Sequence, residues 1–237
     1  MAITVIFSDM GDVDCASIPN LWKDIPDVNV LTLSRDGDVT KDDIREAIKG
    51  ADDTLIMCGH GTPSGLLGFV CEEREDPLFR QRDERIYTMK EMYEKAKGDR
   101  NLAGALGREA DKLSKPVRTR KFHRLDNAVD ASMVDDIHAE RVIAVWCHAT
   151  RFAETHHLYG FWSSMFISNS GEAAMCGYPG IPNSVIDDET MKFWVDANRL
   201  LKENVPLDRW IPELMRMGHM DLPTTKFNYN GLRYYPK

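Results

Sequence analysis

Several things are scarce in this 237-residue chain, and each scarcity closes off a class of protein. The five cysteines, Cys15, Cys58, Cys71, Cys147 and Cys176, are odd in number, widely spaced and contain no C-x-x-C. A disulfide framework and a cysteine zinc site are therefore disfavoured, and reduced thiols in a cytoplasmic protein are expected. No apolar run approaches the roughly 20 residues that a membrane-spanning helix needs. The opening MAITVIFSDMG has no basic leader and only a short apolar run, so it reads as a first strand rather than a signal peptide. Positive charge is also in deficit. The 30 Lys and Arg against 38 Asp and Glu leave a formal charge of −8, which argues against nucleic acid or an anionic membrane surface as a main partner. There is no internal repeat and no low-complexity segment. What remains is ordinary: 43% hydrophobic and 29% charged residues, enough to build one large domain or two small ones.

The apolar runs set the fold class. Ile3–Phe7, Val28–Leu33 and Leu55–Cys58 read as short buried strands. Between the second and third, Thr40 opens a helix, Asp43 is its capping-box partner and Gly50 its stop. Strand, helix, strand at this spacing implies a parallel βαβ unit, hence an α/β fold with a mostly parallel sheet flanked by helices.

From about Val70 to Asn127 the composition turns charged and helical. Ile86, Met89, Met92, Tyr93 and Ala96 recur at helical spacing, as do Leu102, Leu106, Ala110 and Leu113. The pattern predicts a helical insertion over 70–127 inside a single α/β domain of residues 1–237. The insertion ends in a basic run, Lys112–Arg124, interrupted by Pro116.

A short helix near Met133–His138 leads into a strand from Val142. Beyond it, Leu158, Phe161, Trp162, Met165 and Phe166 are spaced as an apolar helix face. Glu172–Gly177 is a strand candidate. Asp188–Glu203 is a helix with Met191, Trp194, Val195 and Leu201 turned inward. Asn230-Gly231 between aromatic flanks signals a hairpin.

Two of the strands carry chemistry. Thr54–Thr62 reads T-LIM-C-G-H-G-T, and Val142–Thr150 reads VIAVW-C-H-A-T. One delivers an imidazole, His60, and the other a thiol, Cys147. A thiolate is the nucleophile, so a catalytic cysteine needs a base or an electropositive setting, and an imidazole has the right pKa to act as that base. Catalytic groups in a parallel sheet collect beyond the carboxyl ends of the strands, where both residues fall. Gly59 and Gly61 leave the backbone beside His60 open to a substrate carbonyl, and the N–H groups of Gly61 and Cys147 are the natural oxyanion donors.

In these motifs, G-H60-G-T and V-W-C147-H-A-T, the chain resembles the caspase-like cysteine peptidases of clan CD. The likeness in motif is greatest to the metacaspase, clostripain and bacterial CHAT-type members. The resemblance implies a caspase-like sheet, with His60 as the base of a dyad, Cys147 as the nucleophile and Gly61 as an oxyanion donor. It implies a peptide or protein substrate and an S1 pocket to which Asp9 in the first loop contributes, with Asp12 and Asp14 as further sources of negative charge. Val145 stands where members that cleave after Arg or Lys often carry Asp, two residues before the nucleophile. The substrate-binding set expected on this basis is Asp9, Cys58, Val145, Cys176 and Gly177, with core filling as the commoner role for Cys58. Substrate backbone is expected to pair with the segment after the Glu172 strand. The basic run Lys112–Arg124 becomes a candidate site of self-cleavage.

No metal and no cofactor are expected. Cys147, His148, His156 and His157 match no common zinc spacing. Asp36-Gly-Asp38-Val-Thr40-Lys-Asp42 has Lys41 where a calcium loop needs Gly, and Ala47 where it needs a bidentate Glu. Two alternatives to the peptidase stand beside it. One is a non-catalytic binding or regulatory module of the same fold, which an unperturbed Cys147 thiol would favour. The other is an aspartate-based phosphatase using the Asp9–Asp14 loop, which would leave His60 and Cys147 idle.

Overall fold

The computed structural model describes residues 2–11, 18–22, 25–74, 88, 90–92, 94, 104–108 and 120–237, the side chains of 74 and 120 apart. Cys15, Asp12, Asp14 and residues 112–119 of the basic run lie outside the described residues. The chain divides into two compact units, Met1–Cys71 with His123–Lys237, and Glu72–Phe122.

The strands in chain order are β1 (Ile3–Ser8), β2 (Val28–Leu33), β3 (Thr54–Cys58), β4 (Gly61–Thr62), β5 (Gly65–Arg74), β6 (Arg120–Val129), β7 (Arg141–Val145), β8 (Gly160–Ser163) and β9 (Leu232–Tyr235). Six of them form one sheet in the order β2-β1-β3-β7-β8-β9, and the other three a small sheet in the order β4-β5-β6. Every pairing in the large sheet is parallel except the last, β8 with β9. The expectation of an α/β fold with a mostly parallel sheet flanked by helices holds.

Helix α1 (Lys41–Lys49) forms as its sequence demands. Thr40 N–H donates to Asp43 Oδ2 at 2.9 Å, Asp43 N–H donates to Thr40 Oγ1 at 3.2 Å, and Gly50 closes the far end. Alternating residues of the central strands feed two cores, one on each face of the sheet. Leu55, Met57, Val142 and Ala144 pack with Ile44 and Ile48 of α1. Ile56, Cys58, Ile143 and Val145 pack with Phe193, Trp194 and Leu200 of helix α4 (Asn183–Lys202). A sheet covered on both faces needs apolar residues at every strand position, which is why these strands appear in the sequence as unbroken apolar runs.

The second half of the chain departs from expectation at four places. The first is 158–166, where helix α2 (Ala149–His156) comes earlier and stops at His157, whose φ is 55°. Leu158 N–H then donates to Ala153 O at 2.9 Å, the helix-ending arrangement that lets the chain turn away. Gly160–Ser163 goes on as β8, and its complete burial imitates a helical face in spacing. The second is Glu172–Gly177, which is not a strand: helix α3 (Ser170–Met175) forms there because Asn169 Oδ1 caps Glu172 N–H at 2.9 Å. The third is Val195, which is 50% exposed on α4 while Phe193, Trp194, Ala197, Leu200 and Leu201 take the inner side. The fourth is Asn230-Gly231, which makes no hairpin and instead ends a helix. After helix α5 (Trp210–Met217), Pro223 starts α6 (Pro223–Asn230), and Gly231 caps it directly before β9.

Within 70–127, β5 and β6 occupy the two ends of the stretch expected to be helical. In the second unit helical residues occur at 88, 90–92, 94 and 104–108. Met92 is helical but 51% exposed, and Leu106 is helical and half-buried. The remaining members of the two expected stripes lie outside the described residues.

Candidate active site

Strands β3 and β7 are parallel neighbours, with Cys58 opposite Val145 at their carboxyl ends. Two residues beyond each of these paired positions stand His60 and Cys147. Equal offsets from a paired register bring both side chains to the same edge of the sheet. There they line one cavity of about 30 Å³, together with Ile18, Gly59, Val145, Phe166, Ser168, Thr190 and Trp194. That volume is on the scale of about one or two water molecules. The hydroxyl of Thr190, itself buried, has no hydrogen-bond partner among the described residues.

The His60 side is fixed by backbone. Gly59 has φ of 127° and donates its N–H to Val145 O at 3.1 Å. A Cβ at Gly59 would lie 2.6 Å from Ser8 Cβ at the end of β1, so only glycine fits this conformation and this approach. The carbonyl of His60 accepts from Leu67 N–H at 2.9 Å, tying the loop to β5. Gly61, in β4, lies so close to the Trp146 indole that any Cβ there would overlap the ring. Trp146 is itself held, its Nε1–H donating to Thr62 O at 3.2 Å and its carbonyl accepting from Ser163 Oγ at 2.8 Å. Phe152 and Trp162 meet it edge-on at 5.9 and 5.8 Å.

The Cys147 side is enclosed by side chains and loop. His148 takes a left-handed φ of 69° and donates its N–H to Ser164 O at 2.9 Å, and α2 begins at the next residue. The Cys147 thiol donates to Phe166 O at 3.4 Å and lies 3.9 Å from Glu172 Oε1. Glu172 is anchored through its other oxygen, which accepts from Ser168 N–H at 2.8 Å and Ser168 Oγ at 3.0 Å. Burial, and next the Glu172 carboxylate, push the thiol up from its ordinary 9.0 to about 11. The thiol is therefore protonated at neutral pH. Its neighbour is an anion, not the electropositive setting that lowers a catalytic thiol.

The expected substrate-binding residues part company here. Val145 reaches the cavity wall. Cys58 has no exposed surface and sits in the apolar core, so it meets no substrate. Asp9 is half-buried at the end of β1, its carboxylate accepting from Gly11 N–H at 2.9 Å. Cys176 and Gly177 follow α3, where burial and then Glu172 raise the Cys176 thiol as well. The segment expected to pair with substrate backbone thus follows a helix instead of a strand. Phe166, Ser168 and Glu172 are site residues that sequence reasoning missed. The signal that could have found them is Asn169-x-x-Glu172, a helix start misread as a strand.

Cys147, His148, His156 and His157 do not gather as a metal site. Among the described residues three metal-type donors meet at Asp38, Cys71 and His123, none of which lines this cavity. No protein-family model, curated protein or solved structure matches the chain. No helix among the described residues is long and apolar enough to cross a membrane.

Proposed function

We propose that this chain is a caspase-like cysteine endopeptidase acting through a His60–Cys147 dyad. The observation that carries the reading is the common offset of the two residues from the Cys58–Val145 register of neighbouring parallel strands, which places both on one cavity. In the reaction His60 takes the Cys147 proton, the sulfur bonds to the scissile carbonyl carbon, and the Gly61 and Cys147 N–H groups hold the oxyanion. The C–N bond breaks as His60 returns the proton to the leaving amine. Water then cleaves the thioester and regenerates the thiol.

On this reading the enzyme rests in a latent state. The thiol is hydrogen-bonded to the Phe166 carbonyl beside a carboxylate, and the cavity it lines is narrow. Productive binding must displace the Phe166–Ser168 segment from the sulfur. A second reading, a non-catalytic binding module of the same fold, draws support from a thiol that is raised where an activated one would be lowered.

Labelling separates the two. Treating the chain with a set of acyloxymethyl ketones that vary at P1 is expected to give one covalent adduct, mapped to Cys147 by mass spectrometry. Cys147→Ala should remove the adduct, and His60→Ala should suppress it together with peptide turnover. An undiminished adduct on Cys147→Ala, or no adduct and no turnover across the set, would sink the peptidase.

A further inference from the structure

The segment Asp36–Asp42 fails as a calcium loop, and Cys71 reads in sequence as a structural thiol, yet the fold brings the two together. Asp38 precedes α1, Cys71 lies in β5 and His123 lies in β6, and β5 and β6 are neighbours in the small sheet. One ligating atom from each, a carboxylate oxygen, a sulfur and an imidazole nitrogen, lie within 4.8 Å of one another. The backbone locks the arrangement: Cys71 N–H donates to Val39 O at 2.8 Å, which holds the residue after Asp38 against the strand. Close by in sequence on both sides, Lys41 bridges to β6 at Asp126 (3.3 Å) and to Asp130 just beyond it (2.6 Å), so the loop and the strand are joined a second time.

We infer that Asp38, Cys71 and His123 form a binding site for a zinc-type divalent transition metal. Three features of the donor set select this class. A thiolate and an imidazole exclude the hard ions calcium and magnesium, which take oxygen ligands. One thiolate and one carboxylate balance the charge of a divalent ion, and the neutral imidazole adds none. Three protein ligands leave the fourth position of a tetrahedron to water. With metal–ligand bonds of about 2.0–2.3 Å the donors of a tetrahedral site stand roughly 3.5 Å apart, so binding draws the present cluster in by about 1 Å. Cys71 is buried, while Asp38 and His123 are exposed. Metal would clip the loop before α1 to two strands of the small sheet. The inference does not depend on the peptidase reading, because none of the three residues lines the Cys147 cavity.

Cobalt(II) is the probe, since a cobalt–thiolate bond gives a charge-transfer absorption in the near ultraviolet that no carboxylate or imidazole supplies. Titrating the full chain under reducing conditions is expected to produce that band at one equivalent, and zinc should abolish it by displacement. Asp38→Ala and His123→Ala, both at exposed positions, should weaken binding at least about tenfold. Cys71→Ser should lose the band outright, whereas Cys147→Ala should keep it. Absence of the band in wild type, or its survival with unchanged affinity in His123→Ala and Asp38→Ala, overturns the site. So does a band that disappears in Cys147→Ala. If Cys71→Ser does not fold, the two exposed variants decide the matter.

Discussion

The two strand ends that meet at the cavity are built on opposite principles. On the His60 side, glycines bring backbone against backbone and ring: Gly59 against Ser8, Gly61 against the Trp146 indole. The backbone that carries His60 takes a course that nothing bulkier than glycine permits at 59 and 61. On the Cys147 side the thiol is held by a carbonyl and a carboxylate from a segment some twenty residues further along the chain. The backbone around the histidine is preset by glycines, and the thiol sits buried beside a carboxylate. The thiol's surroundings come from residues 166–172, and burial is the first cause that raises it.

The comparison can be broken at Trp146, which precedes Cys147 and packs against Gly61. Trp146→Ala removes a buried ring that walls Gly61 and bonds Thr62, and it should cost about 3–5 kcal/mol in urea unfolding. A loss below about 1 kcal/mol would mean that the two ends are not joined through this ring. Gly61→Ala should cost about 1–3 kcal/mol by forcing the indole aside. In the Trp146→Ala background most of that cost should vanish, and a double-mutant cycle measures the coupling.

Glu172→Gln sharpens the other half. The charge 3.9 Å from the sulfur is gone while an acceptor for Ser168 remains, so alkylation of Cys147 should titrate below the wild-type midpoint of about 11. Iodoacetamide rates against pH read this directly, and coincident profiles would remove Glu172 as a cause. A smaller effect follows from the same shift. The folded thiol holds its proton more tightly than the unfolded one, at about 11 against 9.0. Its contribution to stability is complete below pH 9 and is lost as the pH rises toward 11. Cys147→Ser, whose hydroxyl does not titrate in this range, should flatten that part of the stability profile.

Much of the first half was legible because its signals are local. The Thr40–Asp43 box and Gly50 satisfy one another within a few residues, so the ends of α1 could be read without its surroundings. Strands β1, β3 and β7 were legible as apolar runs closed by polar residues. After Cys147 the same kind of signal misled. Phe161 and Trp162 are buried in β8 from both sides, and full burial erases the alternation that distinguishes a strand from a helix face. Asn230-Gly231 is as good a helix stop as a hairpin turn, and the choice fell to Pro223, which starts the helix it ends.

The pair of strand-end motifs is the part of the site that the chain declares by itself: a His between two glycines and a Cys after an apolar run. That they are neighbours with matched offsets depends on the β3–β7 register. The raised pKa of Cys147 depends on its burial and then on Glu172, which no spacing rule connects to it. The meeting of Asp38, Cys71 and His123 depends on two neighbouring strands of the small sheet that lie far apart in sequence. Composition and periodicity act over a turn or a strand, and they disclosed α1, the central strands and the two strand-end motifs. The electrostatics of the thiol and the metal-type cluster arise between segments remote along the chain, so only the tertiary structure could decide them.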